Sequence, residues 1–243
     1  MKRYLLPQIQ RDLEKKMVFL SGPRQVGKST LARSLLIGDS GYMNWDTSEG
    51  RDTILSRNFE ATPLLVFDEL HKYRTWRNYL KGIYDSPARK AKILVTGSAR
   101  LDLFRRGGDS LQGRYHLLTL FPLSFAELGM TSAKDLDQLL TLGGFPEPFL
   151  CGSAEEARRW SREYRTRVLR DEVTSIEQIV DLGNLELLMQ RLPALVGSPL
   201  SLNAIREDIQ VSHGSIRRWM DALERLYFIV RLSPFGSTKI KAV

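Results

Sequence analysis

The chain has 243 residues, of which 42% are hydrophobic and 26% charged, enough for one large globular domain or two ordinary ones. No stretch approaches the ~18 uninterrupted apolar residues of a membrane span, and the charges between Arg11 and Lys15 interrupt any signal peptide, so we expect a cytoplasmic protein without a membrane partner. The single cysteine, Cys151, excludes an intramolecular disulfide, and the net charge of +8 favours anionic partners, nucleotide first and nucleic acid second.

The first predicted elements are a short apolar strand at residues 17–20, a glycine-containing loop and a helix that begins near Ser29. The loop, GPRQVGKS at residues 22–29, fits the phosphate-binding pattern G-x-x-x-x-G-K-[ST] at every defined position. Glycines let successive backbone N–H groups turn inward as an anion nest. We therefore expect Lys28 to reach the β- and γ-phosphates of ATP and Ser29 to complete the Mg²⁺ shell. The expected nucleotide-binding residues of this loop are Gly22, Pro23, Arg24, Gln25, Val26, Gly27, Lys28, Ser29 and Thr30.

A second strand is predicted at residues 64–67, where a continuous apolar run is typical of a central parallel strand buried on both faces. It is followed by Asp68 and Glu69. Ligands bind at the carboxyl ends of strands in open α/β sheets, so Asp68 is the expected Mg²⁺-associated Walker B residue. Glu69 is the candidate base that orients or deprotonates the attacking water.

A third strand, at residues 93–95, is followed by Thr96, Gly97 and Ser98. In ATPases with an extra strand between the Walker A and Walker B strands, a polar residue at this position senses the γ-phosphate. Ser98 is the expected sensor and Thr96 the nearest alternative. An ordinary Thr-Gly-Ser turn would explain the same residues without any such role.

Five motifs occur in order along the chain, namely GPRQVGKST at 22–30, LVFDELHK at 65–72, VTGSAR at 95–100, SLQGRY at 110–115 and FPLSFAEL at 121–128. With them the chain resembles the prokaryotic AAA-type P-loop ATPases of largely unassigned cellular role, within the AAA+ superfamily. The resemblance implies ATP as ligand and a five-stranded parallel sheet. It also implies Arg114 as an arginine finger or sensor, in cis or from a neighbouring subunit, with Arg100, Arg105 and Arg106 as competitors.

In that family the ATPase core is followed by a winged helix and usually by a nuclease-like domain. The sequence after the core fits the first part of this plan. A turn is expected at residues 143–148, a charged helical stretch at 154–180, and a helix-turn-helix over 201–232 whose last residues, 227–232, form the first wing strand. Because family members normally continue beyond this point, we expect a chain that lacks the nuclease-like domain.

The second helix of the helix-turn-helix carries polar and basic residues away from its apolar stripe, and Arg217 and Arg218 are the expected contacts to double-stranded DNA. Winged helices also serve as protein-docking modules, so this alternative stays open. A basic run between Arg89 and Arg114 is a second candidate surface for DNA or a partner, with a solvated face as the simpler explanation.

The expected fold is therefore α/β, a three-layer P-loop NTPase core with a parallel sheet, followed by a helical segment and a winged helix-turn-helix. The expected domains are an ATPase core at 1–130, a helical linker or lid at 131–190 and the winged helix at 191–243. The expected function is Mg²⁺-dependent ATP hydrolysis, with Lys28, Glu69 and Arg114 as catalytic residues and Ser29 and Asp68 at the metal. A nucleotide-dependent binding switch with little turnover is the alternative, and a homo-oligomer is the expected partner arrangement if the finger acts in trans.

Overall fold

The computed structural model describes residues 2–86, 91–97, 111–173 and 181–232 of the chain. They fall into two compact units, residues 1–163 and 164–243. The strands are β1 Met17–Ser21, β2 Tyr42–Asn44, β3 Leu64–Asp68, β4 Lys92–Thr96 and β5 Tyr115–Thr119. The helices are α1 Leu6–Leu13, α2 Lys28–Arg33, α3 Ser48–Ser56, α4 Trp76–Tyr84, α5 Ala133–Leu142, α6 Pro146–Cys151, α7 Ala154–Arg167, α8 Leu182–Arg191, α9 Leu202–Ile209 and α10 His213–Arg225.

The five strands form one parallel sheet in the order β2-β3-β4-β1-β5. The third predicted strand, now β4, lies between β1 and β3, and pairs with both through Leu94. This is the strand inserted between the Walker A and Walker B strands that the sequence predicted. Because all strands run in the same direction, the loops after β1, β3 and β4 emerge at one edge of the sheet.

Both faces of the sheet are covered, which makes the first unit a three-layer α/β fold. Alternate residues of β1 point to opposite faces, so Phe19 packs with the apolar residues of α3 and α4 while Leu20 packs with those of α1 and α2. The central strands β1 and β3 are therefore apolar at every position before the last residue, as the sequence indicated. In the described part of the chain, no helix has both the length and the apolar character needed to cross a membrane.

The second unit contains a helix-turn-helix made by α9 and α10. Gln210 ends α9 in a left-handed conformation with φ of 57°, and Ser212 caps α10 by accepting a hydrogen bond from the Ser215 N–H at 3.0 Å. The buried side of α10 includes Ile216 and Leu223, which belong to the stripe predicted from the sequence. This pair of helices and its turn were predicted at these positions.

The wing strand predicted over residues 227–232 was wrong, because the structure gives these residues turn and irregular conformations. Tyr227 has a φ of 59°, and the Phe228 N–H returns to the Leu223 carbonyl, so the chain closes the end of α10 instead of extending. Arg231 then binds back to α10 through Asp221 and Glu224. Residues 233–243 lie outside the described residues, and the division of the chain at 130 and 190 stays a prediction.

Candidate nucleotide-binding site

The phosphate-binding loop connects β1 to α2 at the carboxyl edge of the sheet. Three of its residues have positive φ: Gly22 at 139°, Gln25 at 59° and Gly27 at 94°. Gly22 also packs against the end of β5, where a Cβ atom would lie 2.2 Å from the Leu120 carbonyl oxygen. Glycine is therefore required there for both backbone conformation and close approach. The loop has the turned backbone from which an anion nest is built.

Lys28 begins α2, and its side chain folds back over the loop. Its Nζ donates hydrogen bonds to the carbonyl oxygens of Gly22 at 3.0 Å and Pro23 at 2.6 Å, and the residue is only 8% exposed. Burial without a partner would be costly for an ammonium group, and the two carbonyl dipoles offset part of that cost. The charge of Lys28 is thus held inside the loop.

Asp68, at the end of β3, is buried and accepts hydrogen bonds from three hydroxyl groups. Ser29 donates to its Oδ2 at 2.7 Å, Tyr42 donates to the same oxygen at 2.5 Å, and Thr96 donates to Oδ1. The three donors come from α2, β2 and β4, so the carboxylate is fixed by both strands that pair with β3 and by the helix after the phosphate loop. The structure thus brings the predicted metal residues Ser29 and Asp68 into direct contact.

Tyr42 is a site residue that the sequence analysis missed. Burial, followed by the hydrogen bond to Asp68 and its negative charge, raises the pKa of Tyr42 to about 12. The phenol therefore remains a donor at any physiological pH. Arg33 lies over its ring, 3.7 Å from the centroid, which holds the ring against the sheet edge. No motif marks the position, because β2 is three residues long and sequence periodicity cannot resolve so short a strand.

Glu69 follows Asp68 in a left-handed conformation, with φ of 56°, which is uncommon outside glycine. Its N–H donates to the Thr96 carbonyl at 3.0 Å, so its backbone is tied to the end of β4. Desolvation raises the pKa of the Glu69 carboxyl, and the neighbouring Lys72 partly opposes that rise. A carboxylate with a raised pKa, at the edge where the phosphate loop lies, has the character of a general base.

Lys72 bridges Glu69 to a second acid, Asp46, which follows β2. Its Nζ lies 3.4 Å from Glu69 Oε2 and 2.5 Å from Asp46 Oδ2. His71 Nε2 is 3.7 Å from the same Glu69 oxygen. The candidate base thus lies beside Lys72 and His71 from the turn that follows it, contacts that no sequence motif indicated.

Arg114 lies at the amino-terminal end of the strands, opposite to the carboxyl end where the phosphate loop emerges. It directly precedes β5, and its carbonyl accepts the N–H of Met17, the first residue of β1. Four residues of strand, roughly 13 Å, separate that end of β1 from the phosphate loop. The Arg114 guanidinium forms two hydrogen bonds to Asp85, at 2.8 and 2.9 Å. The structure therefore does not bring Arg114 together with Lys28 and Glu69.

The two candidate γ-phosphate sensors and the arginines that compete with Arg114 remain to be located. Thr96, the alternative sensor, is fully buried and directs its hydroxyl to Asp68. Ser98 and the competing arginines Arg100, Arg105 and Arg106 lie outside the described residues.

A parallel sheet of this strand order, with a phosphate-binding loop after β1 and an acidic pair after β3, is the core of a P-loop NTPase. Two family models match the chain. Residues 14–129 match the family described as AAA domain, and residues 133–243 match a family described as domain of unknown function (DUF8612). The amino-terminal part of the chain therefore matches the AAA domain family, as its motifs predicted, and has a P-loop NTPase fold.

Similar proteins extend over both parts of the chain. The uncharacterised proteins Rv2008c of Mycobacterium tuberculosis and Mb2031c of Mycobacterium bovis are each 28% identical over 225 residues, which is 90% of this chain and 50% of theirs. The chain thus spans about half the length of these curated relatives. The Walker-type ATPase PABY2304 of Pyrococcus abyssi shares the fold, with a TM-score of 0.50 and 17% identity over 93% of this chain and 89% of its own.

Proposed function

We propose that the protein is a Mg²⁺-dependent ATPase that hydrolyses the γ-phosphate. The observation that carries this proposal is the 2.7 Å hydrogen bond between Ser29 and Asp68, because it joins the phosphate loop to an acid at the end of β3. A hydroxyl paired with a carboxylate at this place is the arrangement that holds Mg²⁺ beside a bound nucleotide. Glu69, next to it, supplies the base that distinguishes hydrolysis from binding alone.

The donor set suits magnesium, since a hydroxyl and a carboxylate are the oxygen ligands this ion takes alongside phosphate and water. Ser29 and Asp68 would hold it, and Thr96 and Tyr42 would fix the carboxylate from behind. When bound, Mg²⁺ neutralises charge on the β- and γ-phosphate oxygens.

The protein residues then divide the remaining work. The backbone N–H groups of the loop bind the phosphates. Lys28 Nζ donates to phosphate oxygens in place of the Gly22 and Pro23 carbonyls, so full negative charges replace two carbonyl dipoles as its partners. Glu69 accepts a proton from the attacking water, and its raised pKa makes it a better base than an ordinary glutamate. Arg114 fits a finger role only in trans, because the sheet separates it from its own phosphate loop.

The test is ATP turnover by the purified chain with Mg²⁺, at two protein concentrations, with Lys28→Ala and Glu69→Gln as paired variants. Lys28→Ala should lose nucleotide affinity. Glu69→Gln should bind ATP as the parent does while turnover falls by about 10²–10⁴-fold. Specific activity that rises with protein concentration would support a finger from a neighbouring copy, and Arg114→Ala should then remove the rise.

Two results would contradict the proposal. Unchanged ATP binding in Lys28→Ala would remove the phosphate-loop assignment. Tight binding without turnover in the parent, under every condition, would identify a nucleotide-dependent switch.

We further propose that α10 contacts the backbone of double-stranded DNA. Arg217 and Arg218 are both exposed on this helix, beside a buried stripe that fixes its orientation on α9. Arg217→Ala/Arg218→Ala should weaken duplex binding and reduce its salt dependence, because fewer counterions are released. Arg11→Ala/Arg51→Ala removes the same charge from exposed positions of the first unit and is the matched control. Equal losses in both pairs would indicate a general charge effect and contradict the assignment to α10.

A further inference from the structure

Arg3 is buried although it lies at the beginning of the described chain; only 8% of its surface is exposed. Its guanidinium donates to three acceptors: Nη1 to the Val26 carbonyl at 2.7 Å, Nη2 to the Phe121 carbonyl at 2.5 Å and Nε to Glu127 Oε1 at 2.9 Å. The first acceptor belongs to the phosphate loop, and the other two belong to the FPLSFAEL motif after β5. One side chain therefore connects two motifs that are about a hundred residues apart.

Glu127 is itself fixed by the backbone. Its Oε1 also accepts the Tyr4 N–H at 2.8 Å, and its Oε2 accepts the Ser124 N–H at 3.1 Å. Burial acts to raise the pKa of Glu127, but the hydrogen bonds from Tyr4, Arg3 and Ser124 outweigh it and the pKa is lowered. The carboxylate is therefore ionised at neutral pH and balances the buried guanidinium.

The contact with Val26 has a consequence for the phosphate loop. The Val26 carbonyl and the Gly27 N–H belong to one planar peptide unit, so they point in opposite directions. A guanidinium bound to the carbonyl fixes the plane of this peptide and leaves the N–H facing away from Arg3. A Cβ atom on Gly27 would lie 3.5 Å from the same Arg3 nitrogen, so the two residues pack directly.

We propose that Arg3, held by Glu127, is a positioning residue of the phosphate site: it orients the Val26–Gly27 peptide so that the Gly27 N–H faces the nucleotide phosphates. The inference rests on the proposed function, because it assumes that the loop binds ATP. It assigns a task to the FPLSFAEL motif, which the ATPase mechanism leaves without one. Among the described residues, the hydrogen bonds of Arg3 go to Val26, Phe121 and Glu127 and not to Glu69 or Asp68, so its effect falls on binding and not on the hydrolytic step.

The test compares Arg3→Ala, Arg3→Lys and Glu127→Gln in the full chain, with Arg11→Ala as a control that removes an exposed arginine of the neighbouring α1. We measure the Kd for Mg-ATP and Mg-ADP, turnover at saturating ATP, and the melting temperature without nucleotide. Arg3→Ala should raise both Kd values by about tenfold or more, since it removes charged hydrogen bonds, and should change saturated turnover less than about threefold. The affinities for both nucleotides should fall together because the loop N–H groups bind phosphates that ATP and ADP share.

The conservative variants separate positioning from mere stability. Arg3→Lys keeps the charge but loses the planar fork, so its Kd should fall between those of the parent and Arg3→Ala. Glu127→Gln should also give an intermediate Kd. If Arg3→Ala does not fold, the Kd values of Arg3→Lys and Glu127→Gln test the proposal: values equal to that of the parent contradict it.

An Arg3 variant that melts at a lower temperature but binds both nucleotides as the parent does would overturn the inference and leave Arg3 a structural residue. In that case the proposed function stands, because the parent still binds ATP and Lys28→Ala still does not. A parent that fails to bind ATP overturns both. The two failures are therefore distinguishable in one set of measurements.

Discussion

At the residue scale, Tyr42 offers a way to test whether Asp68 belongs to a metal site. Tyr42→Phe removes the hydroxyl that donates to Asp68 Oδ2 and keeps the ring under Arg33. Loss of a hydrogen bond that orients a metal ligand typically reduces metal affinity by about 10–100-fold. We expect the Mg²⁺ concentration for half-maximal ATP turnover to rise within that range, measured by titration at saturating ATP.

Tyr73→Phe is the matched control for this change. Tyr73 stacks on Trp45 and none of its described contacts is to Asp68, so removal of its hydroxyl should leave the Mg²⁺ requirement unchanged. A Tyr42→Phe variant with the parental Mg²⁺ requirement would show that Ser29 and Thr96 suffice to orient Asp68.

Lys72 tests the assignment of Glu69 as base through the pH dependence of turnover. Desolvation raises the pKa of Glu69, so the carboxyl stays protonated to higher pH than an ordinary glutamate, and turnover should fall as pH drops through that raised value. Lys72 opposes the rise, so Lys72→Met should move the acid limb of the kcat profile to higher pH. Lys81→Met, at an exposed position of α4, should not move it. An acid limb that is the same in all three proteins would argue against Glu69 as the titrating base.

At the scale of elements, the phosphate loop depends on how closely it packs against the end of β5. Gly22→Ala places a Cβ atom 2.2 Å from the Leu120 carbonyl oxygen, in a residue whose φ is 139°. The loop or β5 must move, so we expect the free energy of unfolding to fall by more than the ~1–3 kcal/mol of a strained backbone alone. Denaturant unfolding measures the difference.

Gly38→Ala separates the two causes. Gly38 also has a positive φ, of 71°, but a Cβ atom there would have no neighbour within 4 Å. Its cost should therefore be limited to the ~1–2 kcal/mol of a left-handed residue. Equal losses at both positions would indicate that φ alone, and not the contact with β5, requires glycine at 22.

The elements that could be predicted from the sequence are those whose signal is local. The runs that became β1, β3 and β4 are apolar at nearly every position because both faces of the sheet are covered, and the phosphate motif identifies its own loop. β2 and β5 were not located, since the first is three residues long and the second is only half-buried along its length. Both are edge strands, where the burial that creates a sequence pattern is weakest.

The candidate site shows the same division between local and tertiary information. Lys28, Ser29, Asp68 and Glu69 were predicted because they belong to contiguous motifs. Tyr42 and Lys72 were missed because their contacts depend on which strand lies beside β3. Arg3 was missed because its role depends on a tertiary contact with the phosphate loop. The same reason applies to Arg114: sequence order placed it after the third strand but could not show that it precedes β5, at the other edge of the sheet.

At the scale of the whole molecule, the two compact units divide the two proposed activities. The phosphate loop and both apolar clusters of the sheet belong to residues 1–163, whereas α9 and α10 belong to 164–243 and bury their own apolar side chains. Relatives of about twice this length contain a similar region. A ligand that binds one unit can therefore be used to test whether it also stabilises the other unit.

We expect thermal unfolding of the chain to show two transitions, of which Mg-ATP raises only the one that belongs to the first unit. Ligand at a hundred times its Kd stabilises by about 2.7 kcal/mol, which corresponds to roughly 5–10 °C for a unit of this size. Lys28→Ala should abolish that shift. Leu223→Ala, which truncates a fully buried side chain of α10, should lower the other transition, since such changes cost about 2–5 kcal/mol. Calorimetry of the three proteins, each with and without Mg-ATP, makes the comparison. A single transition that responds to all of these changes would show that the units unfold together.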